Sequence, residues 1–475
     1  MEELKEEKRA LRAVNMLKRV LTSRWLPFIT AAVVLFCYYL GLDLIIIYYI
    51  TITAVLCLLL LKDITPVIGI FIFMHCMISN QNSPSSTVTS SNYFLQPAVF
   101  GQLIACACIF GAAIVYRVIL GLRKRTLKPC RVLWGLCALA AVFLLNGAFY
   151  GGYNPLNLFY GFAMAFLFLG IFALIGGNVK PNKDSFIRIA YAFAALSALL
   201  IIELVVVYLT SEGIFVNGAV DKTKIVFGWG IWNTMGMLLV LCVPFIFFLA
   251  VESKRSYLLY LYAILVSFAT VMTMSRQSML AIAIVFPICL ILLFIKGENK
   301  KTNAIITAAG FLLALIVFIV KREELIYALK ELLKNLVDSE GDFTGNGRLP
   351  LLQQAIDNWL AAPVFGKGFF VKLKGYDDFI GLPFIPDMCH NTFVQLLSSC
   401  GIIGLIAYIF HRIQTVASLF RRPTPERLFA ALSVLGLLIC SLFDNHIFYM
   451  FPTIIYSCII ALLAYSEKDV EISDH

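Results

Sequence analysis

Long apolar blocks separated by short polar segments dominate the chain. We count fourteen, and most have the length, roughly 17 to 25 residues, that a helix needs to cross about 30 Å of hydrocarbon. The blocks are residues 26–41, 43–61, 65–79, 98–120, 132–149, 156–176, 188–210, 227–250, 256–274, 277–295, 302–320, 391–410, 428–443 and 447–465. The pattern predicts an all-α, polytopic helical membrane protein with about 12–14 transmembrane helices and one large extracytoplasmic loop.

Composition excludes several classes of protein. Of the residues, 61% are hydrophobic and 14% are charged, whereas a soluble domain carries about 25% charged residues. A soluble enzyme and a disordered scaffold are therefore excluded. The net charge of +10 could suggest nucleic-acid binding. However, the Lys and Arg residues lie mostly in short segments between apolar blocks and not on one folded domain, so we predict no nucleic-acid partner.

The distribution of positive charge predicts the orientation in the membrane. With a cytoplasmic N-terminus, 27 of the 38 Lys and Arg residues fall in inner segments, and eight of the others lie in the long segment 321–390. Long loops do not follow the positive-inside rule. Both termini are therefore predicted to be cytoplasmic. Residues 1–24 lack the short apolar core and cleavage site of a signal peptide.

This orientation divides the chain into five predicted parts of a multi-pass protein of the cytoplasmic membrane. They are a cytoplasmic tail 1–25, transmembrane helices 1–11 within 26–320, an extracytoplasmic loop 321–390, transmembrane helices 12–14 within 391–465, and a cytoplasmic tail 466–475. The loop is predicted to bear the cap of the active site. It begins with an amphipathic stretch, 321–337, and a second helix is predicted over about 349–360.

Three titratable residues stand out on the predicted outer face. Arg276 joins two membrane helices, where a guanidinium either anchors the helix or binds an anion. His390 begins the next span, as an interfacial residue or as a catalytic one. Arg348 opens the second loop helix and by itself reads as a surface residue. Deep within the spans, Glu203 is the lone carboxylate, which marks either a functional site or a paired structural acid.

The thirteen cysteines contain no CxxC pair, so neither a zinc site nor a redox site is predicted. A pair of acidic residues on the outer loop, Asp377 and Asp378, is a weak candidate for metal binding. We predict no metal and no cofactor.

Taken together, these residues resemble the O-antigen ligase and surface-polysaccharide polymerase superfamily. The resemblance covers roughly the C-terminal half and depends on Ser275-Arg276 at a helix end, Arg348 before a Trp-containing helix, and a His followed by ten residues and a Gly. His390 and Gly401 match the last motif. The fourteen blocks depart from the roughly twelve spans typical of these ligases.

The resemblance implies an inverting, metal-independent glycosyltransferase. Its donor would be a glycan linked to undecaprenyl diphosphate, its acceptor a hydroxyl of a glycan or a lipid core, and it would work among membrane lipids at the outer face. Arg276 and Arg348 would then bind the diphosphate, because forked, permanently charged guanidinium groups match phosphate oxygens. His390 would act as the general base.

Two alternatives remain open at this point. The same chemistry serves a polymerase that joins repeat units of a capsule or another cell-surface polysaccharide, and no residue separates this function from a ligase. A transporter of lipid-linked glycans, the other class, would carry charged residues and broken helices near the midplane of the membrane. Apart from Glu203, the apolar blocks lack such charges.

Overall fold

A computed structural model describes residues 2–77, 97–124, 126–216, 219–220, 225–320, 322, 348–373, 386–421 and 423–466. In these ranges the protein is almost entirely helical, which confirms the predicted all-α fold. The strands are four two-residue segments that pair as two antiparallel hairpins. They are β1 (Phe215–Val216) with β2 (Ala219–Val220), and β3 (Val226–Phe227) with β4 (Gly230–Ile231).

Sixteen helices, numbered in chain order within the described ranges, form the body of the protein. The first eight are α1 (Glu2–Leu21), α2 (Leu26–Tyr39), α3 (Asp43–Leu60), α4 (Thr65–Phe73), α5 (Pro97–Arg123), α6 (Arg131–Leu144), α7 (Leu156–Asn178) and α8 (Lys183–Thr210). The other eight are α9 (Trp232–Glu252), α10 (Ser256–Met272), α11 (Arg276–Lys296), α12 (Lys300–Val320), α13 (Arg348–Ala361), α14 (Thr392–Phe420), α15 (Pro425–Phe443) and α16 (Met450–Tyr465). Short 3₁₀ helices follow α4 at Met74–Met77 and precede α16 at His446–Phe448.

Each of the fourteen apolar blocks coincides with one of these helices. By length and composition, eight helices in the described part of the chain can cross a membrane: α3, α5, α7, α8, α9, α11, α14 and α15. The number is nine if α1 and α2, which meet at a bend of 83°, are one broken span. The helices α4, α6, α10 and α16 are shorter and apolar. The protein is therefore a multi-pass membrane protein.

Helix α9 lies at the centre of the bundle. It contacts α8, α10, α11 and α15, and nearly every residue from Met235 to Val251 is buried. The sequence explains this position, because α9 carries no charged residue before Glu252 and a helix that is apolar on all sides is stable only when it is surrounded. Asn233, in the first turn of α9, is thereby attached to a helix that its neighbours enclose.

The predicted loop is described only in part. Its proposed amphipathic segment, 321–337, lies outside the described residues except for Arg322. The second predicted helix is present as α13, which ends just before Pro363 and packs against α14. A segment that we call the strap, residues 362–370, leads from α13 across α14.

The strap inserts its backbone at a break in α14. Gly401 has φ +68° and ψ −166°, which no helix accommodates, and the N–H of the next residue, Ile402, donates to the carbonyl of Pro363 at 2.9 Å. The backbone N–H groups of Lys367 and Gly368 donate to the carbonyl oxygens of Ser398 and Ser399, at 2.8 and 3.0 Å. The two carbonyl groups next to the break in α14 therefore have hydrogen-bond donors from the strap.

Candidate active site

Three segments that are distant in sequence meet at one end of the bundle. They are the turn 273–276 between α10 and α11, the residues 389–391 before α14, and the link 444–449 between α15 and α16. Two hydrogen bonds hold the second segment to the end of α15: Asn391 Nδ2 donates to the carbonyl of Leu442 (3.0 Å), and Thr392 Oγ1 donates to that of Ser441 (2.7 Å). The start of α14 and the end of α15 are thereby fixed together.

His390 pairs with a carboxylate at this junction. Its Nδ1 lies 3.0 Å from Asp444 Oδ1. The His390 side chain is 22% exposed and the Asp444 side chain 5% exposed, so the ring reaches the surface of the site while the carboxylate is enclosed. Because a carboxylate only accepts hydrogen bonds, Nδ1 carries the proton and Nε2 is the nitrogen that can accept one.

Further donors hold the Asp444 carboxylate in place. The backbone N–H of Asn445 donates to Oδ1 (2.8 Å), and Asn233 Nδ2, in the first turn of α9, donates to Oδ2 (3.3 Å). His446 Nε2 lies 3.9 Å from the same Oδ2 and 2.7 Å from Gln277 Nε2. Asp444 is therefore an oriented acceptor for His390, fixed by the backbone of its own link and by Asn233 of α9.

Asn233 also connects this carboxylate with the Arg276 motif. Ser275 Oγ donates to Asn233 Oδ1 (3.0 Å), and Ser278 Oγ donates to Ser275 Oγ (2.9 Å). Ser275 occupies the N-cap position of α11 in an extended conformation, with its side chain bonded to Asn233 and not to the helix backbone, and the half-buried Arg276 is the first residue of that helix. The structure thus brings Ser275, the residue before Arg276, into the same hydrogen-bonded network as His390.

The backbone at both motifs is unusual. Met274 and His390, each with φ +57°, are the non-glycine residues with positive φ in the described part of the chain. Such conformations persist where surrounding contacts enforce them, and they cluster at functional sites. One precedes Ser275-Arg276 and the other is the candidate base itself.

Three helix N-termini lie at this end of the bundle. Helices α9, α11 and α14 all begin here, at Trp232, Arg276 and Thr392. The N-terminus of a helix carries a partial positive charge and exposed N–H groups, and phosphate groups bind there readily. Arg276 is the first residue of α11 at this same end, which also holds the Asp444 carboxylate.

Arg348 is the residue at which a helix close to His390 begins. Its side chain lies outside the described residues, but its backbone starts α13. One turn later, Leu351 and Ala355 form a small buried cluster with Cys389, next to His390, and Val394 packs against that cluster. The first turn of α13 therefore lies beside the segment that carries His390.

Gly401 lies where the strap crosses α14. A Cβ atom there would lie 2.1 Å from the carbonyl oxygen of Val364 in the strap. The glycine lets the strap approach the broken helix, and this contact joins α13, which carries Arg348, to α14, which follows His390. Gly401 therefore acts on the relative placement of the two motifs.

Sequence reasoning missed Asp444, Asn233, Gln277 and His446. Asp444-Asn445-His446 is a polar triplet between the last two apolar blocks, on the same predicted face as His390, and this was a usable signal. Asn233 and Gln277 carry no such signal, because a single amide near the start of an apolar block is common.

Glu203 is paired within the described structure. Its Oε2 accepts a hydrogen bond from Tyr39 Oη (2.6 Å) and its Oε1 accepts one from the N–H of Gly228 (3.1 Å). Gly228 lies in the turn between β3 and β4, just before α9. The acid therefore ties this hairpin to the bundle, which favours the structural alternative for Glu203.

The Cys389 thiol next to the candidate base is buried, and burial raises its pKa to about 11. The thiol is therefore neutral at physiological pH and a poor nucleophile. Among the described residues, no group of three His, Cys, Asp or Glu side chains is placed to hold a metal ion, and Asp377 and Asp378 lie outside those residues.

The comparison with known families agrees with the motifs. The model of the O-antigen ligase family matches residues 261–409, less than half of the chain. The matched segment contains Arg276, Arg348, His390 and Gly401, whereas Asn233 and Asp444 lie outside it. No curated protein matches the chain. The family match confirms the resemblance to the O-antigen ligase superfamily, whose members are of the ligase or polymerase type and indicate a glycosyltransferase-like activity.

Proposed function

We propose that this protein is an inverting, metal-independent glycosyltransferase that moves a glycan from undecaprenyl diphosphate to an acceptor hydroxyl at the outer face of the cytoplasmic membrane. The observation that carries the proposal is the hydrogen-bonded connection from His390 through Asp444, Asn233 and Ser275 to the Arg276 motif. A proton acceptor and a phosphate-binding group are both needed for this reaction, and the connection joins their two motifs at one end of the bundle.

The proton acceptor is His390. Its Nε2 takes the proton of the acceptor hydroxyl as the oxygen attacks the anomeric carbon, since an alcohol is a poor nucleophile without a base. The buried Asp444 holds the ring in the required tautomer and stabilises the imidazolium that forms. The bond between the anomeric carbon and the diphosphate oxygen breaks on the opposite face of the sugar, so the configuration inverts.

The leaving group takes the bonding electron pair. Undecaprenyl diphosphate departs with an added negative charge, and Arg276 and Arg348 stabilise that charge as it develops. The N-termini of α11 and α14 add to the same field. The proton held on His390 then passes to the released diphosphate or to water, and the enzyme returns to its starting state.

A ligase and a polymerase share this step and differ in the acceptor. In a ligase the acceptor is a lipid core or another final glycan, and in a polymerase it is a second carrier-linked repeat unit. The products distinguish them: a single transfer indicates a ligase, and a ladder of lengths that remains on the carrier indicates a polymerase.

The test uses the purified full-length chain in proteoliposomes with undecaprenyl-diphosphate-linked glycan extracted from the source cells. We expect glycan transfer and release of undecaprenyl diphosphate, both in the presence of EDTA. The His390→Ala variant should lose about 10²- to 10⁴-fold in turnover, while its affinity for undecaprenyl diphosphate stays close to that of the wild type. A parallel loss of donor affinity would make His390 a phosphate ligand instead of a base. Movement of the glycan across the bilayer without transfer would indicate a transporter.

A further inference from the structure

We propose that Asn233 is a positioning residue that sets the base motif and the phosphate-binding motif relative to each other. This inference rests on the proposed function and adds a residue outside the matched family segment. Asn233 lies in the first turn of α9, the central helix, and its side chain is buried. It contacts Asp444, which pairs with His390, and Ser275, which precedes Arg276.

Both polar atoms of the Asn233 amide form hydrogen bonds. Its Nδ2 donates to Asp444 Oδ2 (3.3 Å), and its Oδ1 accepts from Ser275 Oγ (3.0 Å). Because Ser278 Oγ donates to Ser275 Oγ, the bonds run in one direction, from α11 through α9 to the carboxylate. Chains of hydrogen bonds in a low-dielectric interior polarise and strengthen one another.

An amide is the side chain that can make this connection. Asp444 needs a donor and the Ser275 hydroxyl needs an acceptor, and a primary amide supplies both from one planar group. A carboxylate at this position would repel Asp444, and a hydrocarbon would leave two buried polar groups without this partner. The residue type therefore matches the two contacts that it makes.

The backbone around Asn233 allows the close approach of α11. A Cβ atom on Gly236, one turn further along α9, would lie 2.4 Å from Ser278 Oγ and 2.8 Å from Thr273 Oγ1. The missing side chain at Gly236 thus lets the hydroxyl groups of the α10–α11 turn reach α9. The bridge depends on helix packing and does not arise from a mobile surface contact.

The consequence for catalysis follows from the distances that the reaction tolerates. The base must reach the acceptor hydroxyl while the arginine holds the diphosphate on the other side of the same sugar. A displacement of about 1 Å between such groups can lower the rate about 10²-fold. Loss of the bridge should therefore lower turnover and also weaken binding of the diphosphate, because Ser275 precedes Arg276.

The experiment compares three variants in the proteoliposome assay. Asn233→Leu preserves the approximate size and removes the bridge. Asn233→Asp preserves an acceptor for Ser275 but places a second carboxylate beside Asp444. Asn303→Leu is the matched control, because Asn303 is also buried and donates to a serine on α10, Ser256, at 3.2 Å, at the opposite end of that helix.

For Asn233→Leu we expect turnover to fall about 10- to 100-fold and undecaprenyl diphosphate to bind more weakly, with a melting temperature similar to that of Asn303→Leu. For Asn233→Asp we expect the turnover relative to wild type to rise as the pH falls, because two adjacent carboxylates share a proton and the protonated form again supplies a donor. The other titratable or charged groups near this position, His390, His446, Cys440 and Arg276, are common to both proteins, so the ratio isolates the new carboxylate.

Turnover of Asn233→Leu within twofold of wild type, or a loss no larger than that of Asn303→Leu, would overturn the inference. A ratio for Asn233→Asp that does not change with pH would also overturn it. Absence of transfer by the wild-type protein would instead contradict the proposed function, and the inference with it. The two failures are distinguished because the wild type is measured first.

Discussion

His390 and Asp444 form a hydrogen-bonded pair, Nδ1 to Oδ1 at 3.0 Å, across the junction of α14 and α15. The pairing requires the left-handed backbone of His390, φ +57°, and the tie between the start of α14 and the end of α15. A carboxylate in this position selects the tautomer of the ring and steadies its charged form. The proposed base therefore depends on a residue from another helix.

Changing Asp444 to Asn should lower turnover while donor binding is kept. The amide has nearly the shape of the carboxylate but lacks its charge and can present a donor to Nδ1, so the ring loses its required tautomer; we expect a fall of about 10- to 10³-fold. Steady-state kinetics in proteoliposomes would measure it. Asp184→Asn is the control. Asp184 is a half-exposed carboxylate in the first turn of α8, where it pairs with Arg24 and Arg188. Equal activity of Asp444→Asn and wild type would contradict the role of Asp444.

Changing Arg276 to Lys should weaken binding of undecaprenyl diphosphate and lower turnover about tenfold or more, because lysine keeps the charge but loses the two-pronged geometry. Titration of the purified variant with undecaprenyl diphosphate measures the affinity. The losses of Arg276→Lys and Arg348→Lys should be non-additive if both hold one anion. Arg255→Lys, at the opposite end of α10, serves as the control. Full activity of Arg276→Lys at a normal protein level would exclude the phosphate role.

Changing Gly401 to Ala should destabilise the protein. The backbone at Gly401, φ +68° and ψ −166°, is essentially restricted to glycine, and a Cβ would collide with the Val364 carbonyl. We expect a loss of about 2 kcal/mol or more in the free energy of unfolding. Gly310→Ala is the control, since a Cβ there meets nothing within 4 Å and alanine favours the helix. The melting temperatures of both variants in detergent decide the matter: a Gly401→Ala value equal to that of Gly310→Ala would show that the strap does not need glycine.

A cysteine placed at Asn346 should react with a membrane-impermeant thiol reagent in intact cells, because 321–390 is predicted to be extracytoplasmic. A cysteine at Lys254, in a predicted inner segment, should react only after lysis. The native Cys389 contributes little to the signal, since it is buried and its pKa is raised to about 11. Labelling of position 346 only after lysis would refute the predicted orientation.

Local sequence patterns predict most of the helices. The apolar blocks predict the helices because each block needs a hydrocarbon-like environment along its whole length, and every block coincides with a helix. The helix over 349–360 was predictable from its periodicity and from Pro363, which ends it. Arg276 and His390 were identified individually, by residue type and by their positions at helix ends, whereas Arg348 was identified only through the family resemblance.

The connections among these residues could not be predicted in the same way. Asp444 lies 54 positions after His390, and Asn233 lies 42 positions before Ser275. Contacts over such separations depend on which helix faces pack together, and apolar faces in a membrane bundle are nearly interchangeable in sequence. Periodicity reports that a face is apolar but not which neighbour covers it.

The sequence by itself determined that this chain is a helical membrane protein, and it marked an arginine and a histidine at helix ends as candidates for chemistry. Only the tertiary structure decided that the histidine pairs with Asp444, that Asn233 joins this pair to the arginine motif, and that Gly401 admits the strap into a broken helix. The physical reason is that hydrophobic transfer acts on each segment independently, whereas hydrogen bonds between helices need distances near 3 Å that only the packing of the whole bundle sets.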